Sequence, residues 1–483
     1  ENNILALNKK DNYLAVAMED PEDLTTIDSI RKLTNLNPEI LVAGRSSIQS
    51  ALETLYDKVK KSDEVESAIS NISIVRGDEE DGDELDLATE QVSAEDAPFV
   101  KLVNLILTEA IKEGSTDVHI EPGKDTVIVR IRIDGVLVKI MSPPINSLNG
   151  MVTRIKILSK LNIAEHRLPQ DGRMKIKTKE RDIDVRVSIL PTVHGEKVVL
   201  RLLGTGGKKL TLTNLGFPDD KLQVFRKWIK QPYGMVIISG PTGSGKSTTL
   251  YASLLEIMSE GINITTVEDP VEYQIPGINQ VQMHDAIGLN FASSLRSILR
   301  QDPDVLLIGE IRDEETADIA VKFSLTGHLV FSTVHANDAP STIARLLDLG
   351  IPPFLLGSSL NLIMAQRLVR TIDEETKESY QPSKEELDLI KISKDKVNKM
   401  KFFTGKPNAN NHNTGYKGRT AIHEILEVNS DMRQLIYDNA SQIDIQRLAT
   451  KNGMTPLRQA GIEKINKGVT TIEEVLRATV EDI

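Results

Sequence analysis

The chain has 483 residues, enough for three or four domains, and 40% of them are apolar, so sizeable cores are possible. Its 58 basic residues against 70 acidic ones leave a net charge of −12, a poor footprint for coating nucleic acid, and 4% aromatics leave little for base stacking. Cysteine is absent, which excludes disulfides and thiolate metal sites and fits a reducing compartment.

In chain order, residues 1–60 read as a partial N-terminal α/β module, with short apolar strands alternating with helical periods over 13–58. The chain opens at Glu1 without Met, so the natural N-terminus is expected to have been removed; no signal peptide is visible. Residues 61–96, with the run "GDEEDGDELD", are expected to be an acidic flexible linker. Residues 97–204 form a second α/β domain. There "FVKLVNLILTEAIKEG" has helical spacing and stops at Gly114, "TVIVRIRIDGVLVKI" alternates as strands around Asp134–Gly135, and "RDIDVRVSILPTVHGEKVVLRLL" gives two more strands. The glycines of 205–210 are expected to be a hinge.

From 211 to 372 a doubly wound α/β pattern appears. Strand "MVIIS" and helix "KSTTLYASLLEIM" flank a glycine-rich loop, and strands "NITTV", "VLLIG" and "LVFST" follow with helices between them. The apolar stretch "FLLGSSLNLIMAQ" is broken by Ser and Asn and too short to span a bilayer, so no direct membrane insertion is expected. Residues 373–483 read as a polar insertion and a helical subdomain, whose last helix is capped by Thr471 with Glu474 three residues on.

The loop "GPTGSGKSTTL" fits G-x-x-x-x-G-K-[ST]. Gly240, Pro241, Thr242, Gly243, Ser244 and Gly245 are expected to bring backbone N–H groups around phosphates. Lys246 reaches the outer ones, and Ser247 and Thr248 open a helix whose dipole favours the anion, Ser247 offering its hydroxyl to Mg²⁺. "DVLLIGEIRD" is a buried strand ending in acid, placing Glu310 where it can orient water or a metal-bound ligand. "TVEDPVEY" brings Glu268, Asp269 and Glu272 to another strand end, either as Mg²⁺ or water ligands or as a capped loop. His328 and His335 bracket one strand. His335 is placed to sense a γ-phosphate, although a histidine at a strand end is more often structural.

The order and spacing of four boxes resemble one family, the ATPases of type II secretion and type IV pilus assembly (GspE and PilB). The boxes are "GPTGSGKSTTL", "TVEDPVEYQIPGINQVQ", "GLNFASSLRSILRQDPDVLLIGEIRD" and "TGHLVFSTVHANDAPSTIARLLDLGIPPF". "STDVHIEP", "RIRIDGVL", "LNIAEHRLPQDGR", "SSLNLIMAQRLVR" and "GYKGRTAIHEIL" match as well. The resemblance covers 97–483 strongly and the first module weakly.

The resemblance implies a RecA-like P-loop motor domain preceded by a smaller PAS-like α/β domain and the partial N-terminal module. It implies a cytoplasmic homo-hexamer using ATP and Mg²⁺. Such a ring is peripheral at the inner membrane through a platform protein and a membrane-recruitment protein, and drives pilin-like subunits into a filament. Under it Lys246 and Ser247 hold phosphate and Mg²⁺, Glu310 is the catalytic carboxylate and partly water-mediated Mg²⁺ contact, Glu268 is the runner-up, and His335 is the phosphate sensor. Arg186 and Arg201, and the pair Arg296 and Arg300, match arginines that reach phosphates; for each the plain alternative is a surface salt bridge. "APSTIARLLDLGIPPF" and "SSLNLIMAQRL" look more like the pilus branch than the secretion branch. A hexameric helicase or DNA translocase, or a nucleotide-responsive scaffold, are the other classes open to such a core; the net charge argues against nucleic acid as partner. Most relatives carry two Cys-x-x-Cys pairs after "LVRTI"; here the matching positions are Asp373, Thr376, Asn408 and Asn411, so no zinc is expected.

Overall fold

The computed structural model describes residues 4–10, 13–34, 36–44, 97–178, 182–204, 210–392 and 400–479, with 48, 72–75, 84–85 and 397 besides. Two compact units emerge, one of Glu1–Glu113, Val118–Val129 and Met141–Arg201, the other of Gly114–Asp117, Arg130–Ile140 and Leu202–Ile483.

The N-terminal module is a three-stranded sheet. Strands β1 (Leu5–Lys10) and β2 (Tyr13–Met18) are antiparallel, and helix α1 (Leu24–Thr34) crosses over to β3 (Asn37–Val42), parallel to β2. Of the stretch expected to be a flexible linker, β4 (Ile72–Val75) and β5 (Glu84–Leu85) are instead strands. The β-branched "ISIV" of β4 pairs with β9 (Gln170–Thr178) and extends that sheet. The rest of that stretch, and residues 205–209 of the expected hinge, lie outside the described residues.

An eight-stranded sheet follows, in the order β5-β4-β9-β10-β11-β6-β7-β8. Its further strands are β6 (Asp117–Pro122), β7 (Val127–Ile133), β8 (Val136–Met141), β10 (Asp182–Thr192) and β11 (Gly195–Leu203). Alternation sets one face inward. Ile183, Val185, Val187 and Ile189 of β10 and Val198, Leu200 and Leu202 of β11 are buried. Helices α2 (Ala97–Lys112) and α3 (Leu148–Leu158) bury stripes at helical spacing, Val103, Ile106, Leu107 and Ala110 in the first, Met151, Val152, Ile155 and Leu158 in the second. Asp134 and Gly135, both at positive φ, close the β7–β8 hairpin with the twist that two-residue loops favour.

The second unit is built on a seven-stranded sheet, β14-β13-β15-β16-β12-β17-β20. In chain order these are β12 (Gly234–Ser239), β13 (Ile264–Glu268), β14 (Asn279–Gln282), β15 (Val305–Ile308), β16 (Leu329–Val334), β17 (Leu360–Ile372) and β20 (Tyr416–Glu427). All neighbours are parallel except β20, which runs antiparallel to β17. Every residue of β12, β13, β15 and β16 is buried, as a parallel sheet covered on both faces requires. Met235 and Ile237 enter one core and Val236 and Ile238 the other, so β12 feeds both layers of helices.

The sheet runs past the boundary expected at 372. β20 belongs to the motor sheet, and Ile422 and Leu426 from it join Met432, Ile436, Ile445 and Ala449 of the next two helices in the main core. Residues 373–483 thus supply a strand of the motor sheet as well as helices. They also hold a two-stranded ribbon, β18 (Lys377–Tyr380) with β19 (Phe402–Gly405), whose Phe402 packs with Ile390 and with Ile462, Ile465, Ile472 and Val475 of the last two helices in a smaller core. The last helix begins at Thr471 as expected, but only half of the expected box forms. Thr471 Oγ1 accepts from Glu474 N, while the buried Glu474 carboxylate binds Arg370 and Arg477 instead.

Candidate active site

Residues 240–245 join β12 to helix α4 (Lys246–Ile257). Gly240 and Gly245 are required by the approach of β17. A Cβ on Gly240 would sit 2.5 Å from Ser244 Oγ and 2.6 Å from Gln366 O, and one on Gly245 would sit 2.8 Å from Gln366 Nε2; both have left-handed φ. Lys246 Nζ donates to Gly240 O (2.9 Å) and Pro241 O (3.1 Å), folded along the loop. Burial, and then the Arg367 charge, lower its pKa to about 8. Ser247 and Thr248 are exposed at the helix start, and Ser244 Oγ is buried without a protein partner. An ammonium, free hydroxyls and the first-turn N–H groups of a helix form a donor set that suits a polyphosphate with Mg²⁺.

The acids sort themselves by geometry. Glu268, 5% exposed at the end of β13, accepts from Tyr251 Oη, from Thr266 Oγ1 (2.6 Å) and from Gln280 Nε2 (3.3 Å), so both its oxygens are engaged. The phenols of Tyr251 and Tyr273 are pushed up, by burial first and by Glu268 next. Gly309 follows β15, and a Cβ there would lie 3.3 Å from Glu268 Cα, so this glycine lets the two strand ends approach. Glu310 comes next. One of its oxygens pairs with Arg312, and the other lies 3.3 Å from His335 Nε2. Arg312 also reaches Asp269, at 3.9 Å. Burial, then Lys246 and then Arg312 lower the His335 pKa, favouring a neutral imidazole. Glu272 offers its backbone N–H to Tyr251 Oη at 3.2 Å.

The structure thus brings Glu310 and His335 together and engages Glu268 elsewhere. His328 takes the structural alternative, with Nδ1 3.1 Å from Phe323 O and its ring against the Phe323 ring. Arg296 pairs with Glu315 at 2.5 Å, both more than half exposed, and Arg300 donates to Arg296 O at 2.9 Å. Arg296 thus has the surface salt bridge named above as the plain alternative, whereas the partners of Arg300 are a backbone carbonyl and the Ser297 hydroxyl rather than an acid. Arg186 and Arg201 lie on adjacent strands of the first unit, at positions that alternate with its buried residues.

Sequence reasoning missed Arg312, Tyr251, Gln366 and Arg367. The last two carried a signal. A Gln-Arg pair inside the apolar run of β17 is costly to bury unless both side chains are bonded.

Asp373, Thr376, Asn408 and Asn411 do converge. Asn411 Nδ2 donates to Asp373 Oδ2 (3.1 Å), Thr376 Oγ1 (3.3 Å) and Lys406 O (2.9 Å), while Asn408 and Asn411 each accept the other's backbone N–H. The Asn411 amide is also the main reason the Asp373 carboxyl is held below its ordinary range. Among the described residues no group of three or more His, Cys, Asp or Glu is placed to hold a metal. Replacing Asn411 by Ala strands several buried partners and should cost roughly 2–3 kcal/mol locally. Hydrogen exchange over 373–415 should accelerate, and added zinc should not restore protection; unchanged exchange would remove the structural role of this knot.

With this geometry in hand, a family model described as Type II/IV secretion system protein matches residues 92–477, and one described as MshEN domain matches 1–61. The chain belongs to the type II/IV secretion system protein family. It is a P-loop ATPase with a RecA-like α/β fold, of the class that powers assembly of pili and secretion systems. The type IV pilus assembly ATPase PilB of Myxococcus xanthus is 45% identical over 99% of this chain and 84% of its own length. The type II secretion system protein E of Xanthomonas campestris is 44% identical over 98% and 82%. The pilus retraction motor PilT, solved with bound ADP, superposes with a TM-score of 0.53 at 25% identity, covering 78% of this chain and 96% of that one. Among the described residues no helix is long and apolar enough to cross a membrane.

Proposed function

We propose that this ATPase is a hexameric motor, cytoplasmic and peripheral at the inner membrane through its partners, that adds pilin subunits to a type IV pilus by way of a platform protein. The observation that carries its ATP-driven part is the placement of Lys246, Glu310 and His335 at the carboxyl ends of adjacent strands β12, β15 and β16, where doubly wound folds bind ligands. Lys246 and residues 240–248 hold the phosphates. Ser247 and, through water, Glu310 would hold Mg²⁺, whose charge offsets that of the phosphates when bound. Glu310, fixed by Arg312, orients the attacking water, and neutral His335 hydrogen-bonds the γ-phosphate. Arg186, Arg201, Arg296 and Arg300 enter as phosphate-reaching residues on resemblance alone, as does the PAS-like reading of 97–204.

The pilus reading is supported by the match to the Myxococcus relative over 99% of this chain, and the nearly equal match to the Xanthomonas relative keeps secretion as the second reading. Replacing the gene in its own host with the Glu310→Gln form discriminates them. Loss of surface pili with normal export of folded enzymes is expected; lost export with intact pili would transfer the assignment to secretion.

A further inference from the structure

The pair Gln366–Arg367 sits inside β17, both residues under 10% exposed, and no part of the reaction scheme above uses it. Gln366 Nε2 donates to Ser244 O at 2.8 Å, and Gln366 Oε1 accepts from Thr249 Oγ1 at 2.8 Å. One side-chain amide thereby binds the phosphate loop with one end and the first turn of α4 with the other. Arg367 donates to Gln366 O (3.1 Å) and to Asn337 O (2.6 Å), two residues beyond His335. The next residue, Asp338, caps helix α5 (Ala339–Asp348), whose first N–H is held by Glu424 Oε1 at 2.7 Å.

A trans peptide points its C=O and the following N–H in opposite directions. Drawing the Ser244 carbonyl toward Gln366 therefore turns the Gly245 N–H away from β17. A phosphate cradle needs its N–H groups aimed together before the ligand arrives, because orienting them afterwards subtracts from binding. Thr249 Oγ1 also lies 3.3 Å from Gly245 O; its single hydrogen goes to the nearer Gln366 Oε1, so the Gln366 amide, the Thr249 hydroxyl and the Gly245 peptide sit in one cluster.

We propose that Gln366 is a positioning residue for the phosphate loop, acting through Ser244 and Thr249, and that Arg367 positions the His335 segment from the neighbouring place on the same strand. The two walls of the site are thereby spaced by consecutive residues of β17. This rests on the phosphate-loop reading, and it assigns a role to residues that touch no substrate.

The test uses the full chain. ADP and ATP affinities are measured by displacement of a fluorescent nucleotide, alongside kcat and KM for ATP, in Gln366→Met, Thr249→Val, Thr249→Ser and Lys246→Ala. Gln366→Met keeps length and loses both bonds; Thr249→Val keeps shape and loses the hydroxyl; Thr249→Ser keeps the hydroxyl. Gln366→Met and Thr249→Val should each weaken ADP and ATP about tenfold, with the loss falling on KM more than on kcat. Thr249→Ser should recover most of that loss, and the Gln366→Met, Thr249→Val double variant should be little weaker than Gln366→Met, since the bond is shared. Parent-like affinity in Thr249→Val, or equal loss in Thr249→Val and Thr249→Ser, would overturn the proposal even if Gln366→Met does not fold. Normal affinity in Lys246→Ala would instead sink the phosphate-loop reading itself. Loss in Lys246→Ala alone leaves that reading standing and removes only the positioning role.

Discussion

The Glu310→Gln variant should bind ATP as the parent does and hydrolyse it at least about a hundredfold more slowly. The exchange keeps shape and removes the charge that orients water. The proposed function assigns this task to Glu310, which is 14% exposed just past β15, with Arg312 on one oxygen and His335 3.3 Å from the other. Glu268 differs in kind. Its oxygens take hydrogen bonds from Tyr251, Thr266 and Gln280 within the fold, so Glu268→Gln should lower thermal stability and reduce turnover less. Steady-state phosphate release from the two purified variants checks both statements. Normal release from Glu310→Gln together with loss in Glu268→Gln would exchange their roles.

The second large effect concerns Lys246. Its replacement by Ala should weaken ATP binding by about a hundredfold or more, because the outer phosphates lose their one loop-borne charge. Titration gives an independent reading of the same residue. Burial and the Arg367 charge hold its pKa down to about 8 in the free protein, while a bound phosphate favours the charged form and raises it. The ammonium, nearly complete about a pH unit lower, is therefore only half populated at about pH 8. Above it, ATP affinity should fall by up to about tenfold per pH unit until the raised bound-state pKa is reached. Lys246→Arg, which stays charged, should lack that fall even if its overall affinity is lower. Measuring nucleotide Kd between pH 7 and 9.5 decides it, and a flat profile for the parent would remove Lys246 from phosphate binding.

Much of the second unit is legible in the sequence. β12, β13, β15 and β16 are short runs rich in apolar and β-branched residues, and their expected positions agree with the observed strands to within a residue or two. Such runs are local signals, since a strand buried on both faces is mostly apolar and admits only polar side chains that are bonded within the fold. The phosphate loop was legible for a related reason. Its pattern places glycines at fixed offsets from a lysine within one short stretch, and residue type and spacing alone identify it. The Asp134–Gly135 hairpin and the Thr471 cap are equally local.

What escaped was long-range. The pairing of β20 with β17 carried a strand into the motor sheet from a segment read as a helical subdomain, because pairing partners leave no periodicity in either sequence alone. The choice between Glu310 and Glu268 hung on which carboxylate meets Tyr251 and which meets His335. The convergence of Asp373 and Thr376 with Asn408 and Asn411 spans over thirty residues, and Gln366 reaches Ser244 across 122. By itself the sequence determined that a phosphate-binding strand-loop-helix exists, and which family it serves, since both follow from residue type at short, fixed spacing. Only the tertiary structure decided which side chains enclose that loop and which acid meets His335, because side-chain contacts depend on where distant strands are laid side by side.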